Sequence, residues 1–111
     1  MGSANEDGRL VIEEVDRDEE LTIRLIGEFD MDHRAEVEAA IAKAVCSDAR
    51  RVLVDLRDLD FISSIGMTVL IDANRRDSVY RKLAFVSPTG PVADLFRLTG
   101  LEDALPFVDP V

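Results

Sequence analysis

The chain predicts an α/β fold: a mixed, mostly parallel sheet of about five strands packed against about three α-helices, in the order β-β-α-β-α-β-α-β. Three observations point there. Near the N-terminus, apolar and polar residues alternate with the period of a strand. Further on, residues 52–56 and 82–86 form short apolar runs of the kind found inside parallel sheets. Between and after these runs lie stretches with apolar residues at helical spacing. Strand–helix–strand units of this kind imply parallel pairing with right-handed crossovers.

Each element has a local reason. Residues 10–16 read as a strand through Leu10, Ile12 and Val15, and residues 21–26 alternate Leu21, Ile23 and Leu25 with Thr22 and Arg24. The charged turn between them makes the two antiparallel neighbours. Asp30 or Asp32 is placed to cap a first helix over residues 34–47, whose Val37, Ile41, Ala44 and Val45 form one buried face. Residues 52–56 read as a central strand covered on both faces, and residues 57–64 as a loop. A second helix over residues 65–80 places Gly66, Val69, Leu70, Ala73 and Tyr80 on the side facing the sheet. A buried strand follows over residues 82–86. Pro91 suits the first turn of a third helix carrying Val92, Leu95 and Phe96, which stops at Gly100. Residues 105–108 read as a short final strand that Pro106 confines to an edge.

Composition narrows the function. A chain of 111 residues suits one domain, assigned to residues 10–109, after a disordered or tag-like N-terminus over residues 1–9. Aromatics make up 5% with no Trp, so the core is aliphatic. Thirteen basic residues against 23 acidic ones give a net charge of −10, which argues against nucleic acid and against adsorption to an anionic membrane. No apolar run is long enough for direct membrane insertion, and residues 1–9 lack the apolar stretch of a leader. The one cysteine, Cys46, fits a reducing compartment and is expected to be a buried thiol. The expected location is cytoplasmic.

Catalytic chemistry finds little support. His33 is the only histidine, expected to face solvent at the start of the first helix, and no metal-ligand spacing surrounds it. Neither Ser63 nor Ser64 sits in a nucleophile elbow. Gly66 and Gly90 are isolated, so no phosphate-binding loop is present. No catalytic residue and no cofactor are assigned.

The informative stretch is Asp60-Phe61-Ile62-Ser63-Ser64-Ile65-Gly66-Met67. It joins a buried strand to the start of a helix, where unpaired N–H groups and the positive end of the helix dipole gather. Two readings of the tandem serines stay open: an N-cap plus a turn hydroxyl, or a phosphorylation switch. On the helical wheel Ile65 falls off the buried side, so it is expected to be partly exposed at the helix tip and to mark a contact surface.

These residues resemble a STAS domain, the module of bacterial anti-sigma factor antagonists and of sulfate-transporter tails. The resemblance spans about residues 10–109. Gly27-Glu28-Phe29-Asp30 is similar to the family's Gly-Glu-Leu-Asp turn. Val54-Asp55-Leu56 followed by Phe61 to Met67 resembles its strand and its Asp-Ser-Ser/Thr-Gly-Leu switch loop. Leu95-Phe96-Arg97-Leu98-Thr99-Gly100-Leu101 resembles the stretch leading out of its third helix. The resemblance implies a non-enzymatic protein that binds an anti-sigma factor, often a serine kinase, and so frees a sigma factor. The kinase phosphorylates the second hydroxyl of the switch loop and a phosphatase restores it. In ungapped register the family's Asp falls on Ser63, its first Ser on Ser64, its phosphoacceptor on Ile65 and its Gly on Gly66. Isoleucine has no hydroxyl. Three outcomes are open: binding without a phosphate switch, Ser64 as acceptor, or Ser63 as acceptor. The resemblance makes Ser63, Ser64, Ile65, Gly66, Met67, Asp30 and Glu28 the partner-binding candidates.

Two further expectations follow. STAS domains commonly end in another helix, so its lack would expose apolar surface near residues 105–108 and favour a homodimer. The alternative function is a STAS subunit of a bacterial membrane lipid-transport ABC complex, whose members often lack the phosphoacceptor.

Overall fold

The computed structural model describes residues 10–109, so the expected N-terminal tail over residues 1–9 lies outside the described residues. The chain begins with a hairpin. β1 (Leu10–Arg17) and β2 (Glu20–Phe29) pair antiparallel from Leu10↔Gly27 to Arg17↔Glu20. Asp18 takes the left-handed conformation that lets so short a connection reverse the chain, with φ of 57°.

β2 is ten residues long and serves two further neighbours. Its first half pairs in parallel with β3 (Arg51–Asp55), from Glu20↔Arg51 to Arg24↔Asp55. Its last residues pair with β4 (Leu59–Ile62), through Gly27↔Leu59, Glu28↔Phe61 and Phe29↔Ile62. Thus β4 occupies the stretch expected to be a loop. It was masked by its length and by its mixed composition, with only Leu59 and Ile62 turned into the core. β5 (Leu83–Val86) lies beside β3, and β6 (Phe107–Val108) closes the far edge. The sheet order is β1-β2-β3-β5-β6, with β4 on β2. All pairings but the first hairpin are parallel.

A 3₁₀ turn (Met31–His33) leads into α1 (Arg34–Val45). α2 (Ser64–Arg76), α3 (Gly90–Thr99) and the short α4 (Leu101–Ala104) follow. Gly100, with φ of 83°, supplies the left-handed residue that ends α3 and starts α4. The buried side chains of all four α-helices join one core with Ile23, Leu25, Val52, Val54, Leu83 and Phe85. Val37, Ile41, Ala44 and Val45 form the expected buried face of α1.

Four expectations are corrected. β3 is buried along Val52–Asp55, yet helices cover only one face of the sheet: Leu53, Ala84 and Val86 are buried outside the core. α2 stops at Arg76, so Tyr80 lies beyond it and is 56% exposed. The reason is Asp77, buried at the helix end, whose Oδ1 accepts from Lys82 N–H (3.2 Å) and Oδ2 from Leu83 N–H (2.8 Å). That carboxylate pulls the chain straight from α2 into β5. Cys46 is exposed instead of buried: it is the C-cap of α1, one residue past Val45, and the next step round the helix turns it outward. His33 is buried, for reasons that belong to the site.

Candidate functional site

The junction between β4 and α2 is built from the core outward. Phe29 and Ile62, paired across β2 and β4, form its floor. Gly66 lies directly on that floor. A Cβ there would come within 2.8 Å of Ile62 Cγ1 and 3.2 Å of Phe29 Cδ2, so only glycine lets the first turn of α2 sit so low. Gly66 is therefore buried, and it serves the site from beneath.

Ser63 is pinned in three ways. Its N–H donates to Phe29 O (3.0 Å), its carbonyl accepts from Met67 N–H (3.0 Å), and its Oγ accepts from Gly66 N–H (3.0 Å). The last bond makes Ser63 the N-cap of α2. Ser64 is exposed at the first helical position; its carbonyl accepts from Thr68 Oγ1 (3.0 Å), and its own hydroxyl makes no protein hydrogen bond among the described residues. Ile65 is half-buried at the helix tip, as the helical wheel required. Met67 is half-buried against the core, its sulfur 4.0 Å from Thr99 Oγ1 on α3.

Asp30 stands at the end of β2, exposed, next to the same junction. It caps the 3₁₀ turn through its Oδ1, which accepts from Met31 N–H (2.7 Å). His33 Nδ1 accepts in return from Asp30 N–H (3.2 Å), completing a reciprocal capping box. This bond draws the imidazole inward and explains why His33 is buried where solvent exposure was expected. Glu28 is exposed and sits opposite Phe61 in the sheet register. Seven expected site residues thus lie on or under one end of the sheet, where β2 and β4 stop and α2 starts.

Three exposed apolar residues were missed. Met31 follows Asp30, Phe61 stands on β4, and Leu98 lies beside Thr99 on α3. β4 does not alternate: across Leu59–Ile62 it runs inward, outward, outward, inward, with a register shift opposite Gly27 and Glu28, so a strand pattern read from Leu59 turns Phe61 inward. No sequence signal marks Phe61, Met31 or Leu98.

At the end of β3, Asp55 is buried and binds Arg57 through Arg57 N–H (3.0 Å), Nε (3.1 Å) and Nη2 (2.8 Å). Burial pushes the carboxyl up, but the side-chain and backbone hydrogen bonds from Arg57, with the charges of Arg57 and Arg24, outweigh it and hold the group below its ordinary value. This grip turns the chain from β3 towards β4. A groove of about 160 Å³ between α1 and α2, lined by Ile41, Val45, Val69 and Ala73, lies apart from the junction. Among the described residues no cluster has the makings of a metal site, and no helix is long and apolar enough to cross a membrane.

Comparison with known proteins agrees with this architecture. The family model described as Mlab, STAS domain matches residues 12–109. A search of curated protein sequences finds no match. Among solved structures, an anti-sigma factor antagonist from Mycobacterium paratuberculosis superposes with a TM-score of 0.80 at 24% identity, over 94% of this chain and 88% of that one. The Bacillus cell fate determinant SpoIIAA in its phosphorylated form gives a TM-score of 0.64 at 24% identity, over 92% and 91%. An anti-sigma factor antagonist from Thermotoga maritima, a putative one by its description, gives 0.74 at 16% identity, over 90% and 87%. At these identities the likeness establishes the fold.

Proposed function

The chain belongs to the STAS-domain family, and on that premise we propose that it is a non-enzymatic, cytoplasmic, bacterial regulator that binds an anti-sigma factor and so releases a sigma factor. The observation that carries the proposal is Ile65, half-exposed at the entrance of α2 beside exposed Ser64 and next to the Asp30 turn. Burying an aliphatic side chain of this size against a partner contributes about 1.5–3 kcal/mol. Glu28 and Asp30 add negative charge at the edge of the contact and select a partner that is basic there. Calorimetry against the cognate anti-sigma factor tests this. Ile65→Asp is expected to weaken binding at least tenfold, and full affinity in that variant would refute the contact.

The partner is a protein of the serine-kinase type, but position 65 offers it no hydroxyl. Binding here therefore runs without the usual phosphate switch. Ser63 is a poor substitute acceptor because its oxygen caps α2. Ser64 is exposed, at a helix start where a phosphate of about −1.5 to −2 charge is electrostatically tolerated. Incubation with the kinase and ATP, followed by intact mass, is expected to show no added phosphate. A mass increase abolished by Ser64→Ala would instead assign the switch to Ser64, with a phosphatase needed to reset it.

The absence of a hydroxyl at position 65 also favours a second reading, a STAS subunit of a bacterial membrane lipid-transport ABC complex. Co-purification from the host separates the two. A kinase or sigma factor supports the first, and an ATPase with a permease the second.

A further inference from the structure

The end of α2 away from the junction has a chemistry of its own. Residues 75–82 carry Arg75, Arg76, Arg81 and Lys82, with Asp77 the one acidic residue among them. Asp77 is buried, and its carboxylate is taken up by Lys82 N–H and Leu83 N–H. Lys82 Nζ donates to Ser47 O (2.9 Å) and Ala49 O (2.7 Å). Arg75, Arg76 and Arg81 are exposed and form no ion pair among the described residues. Between them Val79 is 83% and Tyr80 56% exposed. A chain of net charge −10 thus has one segment where cations exceed acids, built around an exposed aromatic ring. Arginine and tyrosine are among the residues that most often dominate the energetics of protein interfaces.

This segment borders the groove between α1 and α2. Arg76, Tyr80 and the exposed Cys46 line it over an apolar floor of Ile41, Val45 and Val69. Glu38, the exposed end of whose wall is acidic, is held by Arg34 (3.4 Å). The groove holds about 160 Å³. A cavity of about 150 Å³ takes one benzene ring, whereas small-molecule sites run to about 300–1,000 Å³. The groove is therefore sized for one apolar side chain. Among anionic partners, shape and charge then decide. A membrane is flat where the groove is concave, and it would meet the rest of an acidic chain. Nucleic acid needs a longer run of phosphate contacts than three arginines supply. A protein segment satisfies both halves of the surface. We infer that the basic end of α2 and the adjoining groove form a second docking site, which takes an acidic protein segment with one apolar anchor. Its carboxylates meet Arg75, Arg76 and Arg81, and its anchor enters the groove beside Tyr80. The 13 residues of α2 set this site about 20 Å from the junction, so it does not depend on what the junction binds.

Fluorescence anisotropy on the full chain at low ionic strength tests the inference. The probe is a fluorescein-labelled peptide of glutamates around one central phenylalanine. It is expected to bind saturably and to weaken as salt is added. Alanine in place of its phenylalanine is expected to lower affinity at least tenfold. Arg76→Glu and Tyr80→Ala, both at exposed positions, are expected to do the same with unchanged circular dichroism. Arg97→Glu, exposed on α3 and equal in charge change to Arg76→Glu, is the control and is expected to bind as the wild type does. Cys46 is the single cysteine, so its alkylation by N-ethylmaleimide reads occupancy of the groove, and bound peptide is expected to slow it. A peptide that does not bind overturns the proposal. Equal losses in Arg76→Glu and Arg97→Glu overturn it by reducing the effect to net charge. Alkylation indifferent to bound peptide overturns it by placing the peptide outside the groove. Sedimentation with phosphatidylglycerol vesicles, lost in Tyr80→Ala and without peptide binding, would give the surface to a membrane instead.

Discussion

Gly66 shows how one residue sets the height of the site. Alanine is the better helix former, by about 1 kcal/mol, and on an open helix this exchange would stabilise. Here the new methyl would lie 2.8 Å from Ile62 Cγ1, an atom in the middle of a side chain that is itself only 2% exposed. Neither Ile62 nor Phe29 has room to yield. Overpacking of this sort costs about 1–3 kcal/mol, so after the helix gain Gly66→Ala is expected to destabilise by up to about 2 kcal/mol net in urea unfolding. It is also expected to lift the first turn of α2 and lower affinity for the partner without touching it. Ile65 and His33 mark the reach of residue-level reading. Ile65 was placed correctly because a helical wheel needs only local geometry. His33 was misplaced because its burial follows from a bond to Asp30 N–H, which only the folded turn reveals.

At the scale of elements, α2 depends on its cap. Ser63 Oγ satisfies Gly66 N–H, and nothing acidic stands in the first turn to assist it. Ser63→Ala leaves that donor without its acceptor and is expected to cost about 1 kcal/mol. Ser63→Asp, which restores an acceptor and adds a negative charge at the helix start, is expected to recover it. Thermal unfolding of the pair checks this, and equal midpoints for Ser63→Ala and the wild type would show that α2 does not need the cap. The same scale shows what was legible. The hairpin, both apolar central strands and the three longer helices were readable because period and length agree in each. β4 was not: four residues with two inward positions carry too little pattern, and its existence depends on the surplus length of β2. The end of α2 was read too late because Asp77 stops it through bonds to Lys82 and Leu83, a tertiary cause without a local signature. That helices cover only one face of β3 and β5 was missed for a related reason. Leu53 and Val86, buried outside the helix-covered core, look no different in sequence from the residues that the helices cover.

At the scale of the molecule, the acidic balance makes pH the natural probe of stability. Most carboxylates are exposed and gain little from folding, whereas Asp55 is buried and holds Arg57. Its carboxyl is held below the ordinary value, which in an unfolded chain is about 3.9. The sign follows directly. A group whose folded pKa is depressed binds more protons unfolded than folded, so its contribution is present above about pH 4 and is lost as pH falls through the folded value. Asp55→Asn removes the charge and keeps an oxygen for Arg57 N–H. It is expected to lower stability near neutral pH by about 1.5–3 kcal/mol, the usual worth of hydrogen bonds to a charged group. Below about pH 4 the difference from the wild type should shrink steadily, because the wild-type carboxyl is then losing its charge as well. Urea midpoints measured from neutral pH down into this acid range give the two curves. Parallel curves across that range would mean that Asp55 is not the group through which acid loosens the turn from β3 into β4.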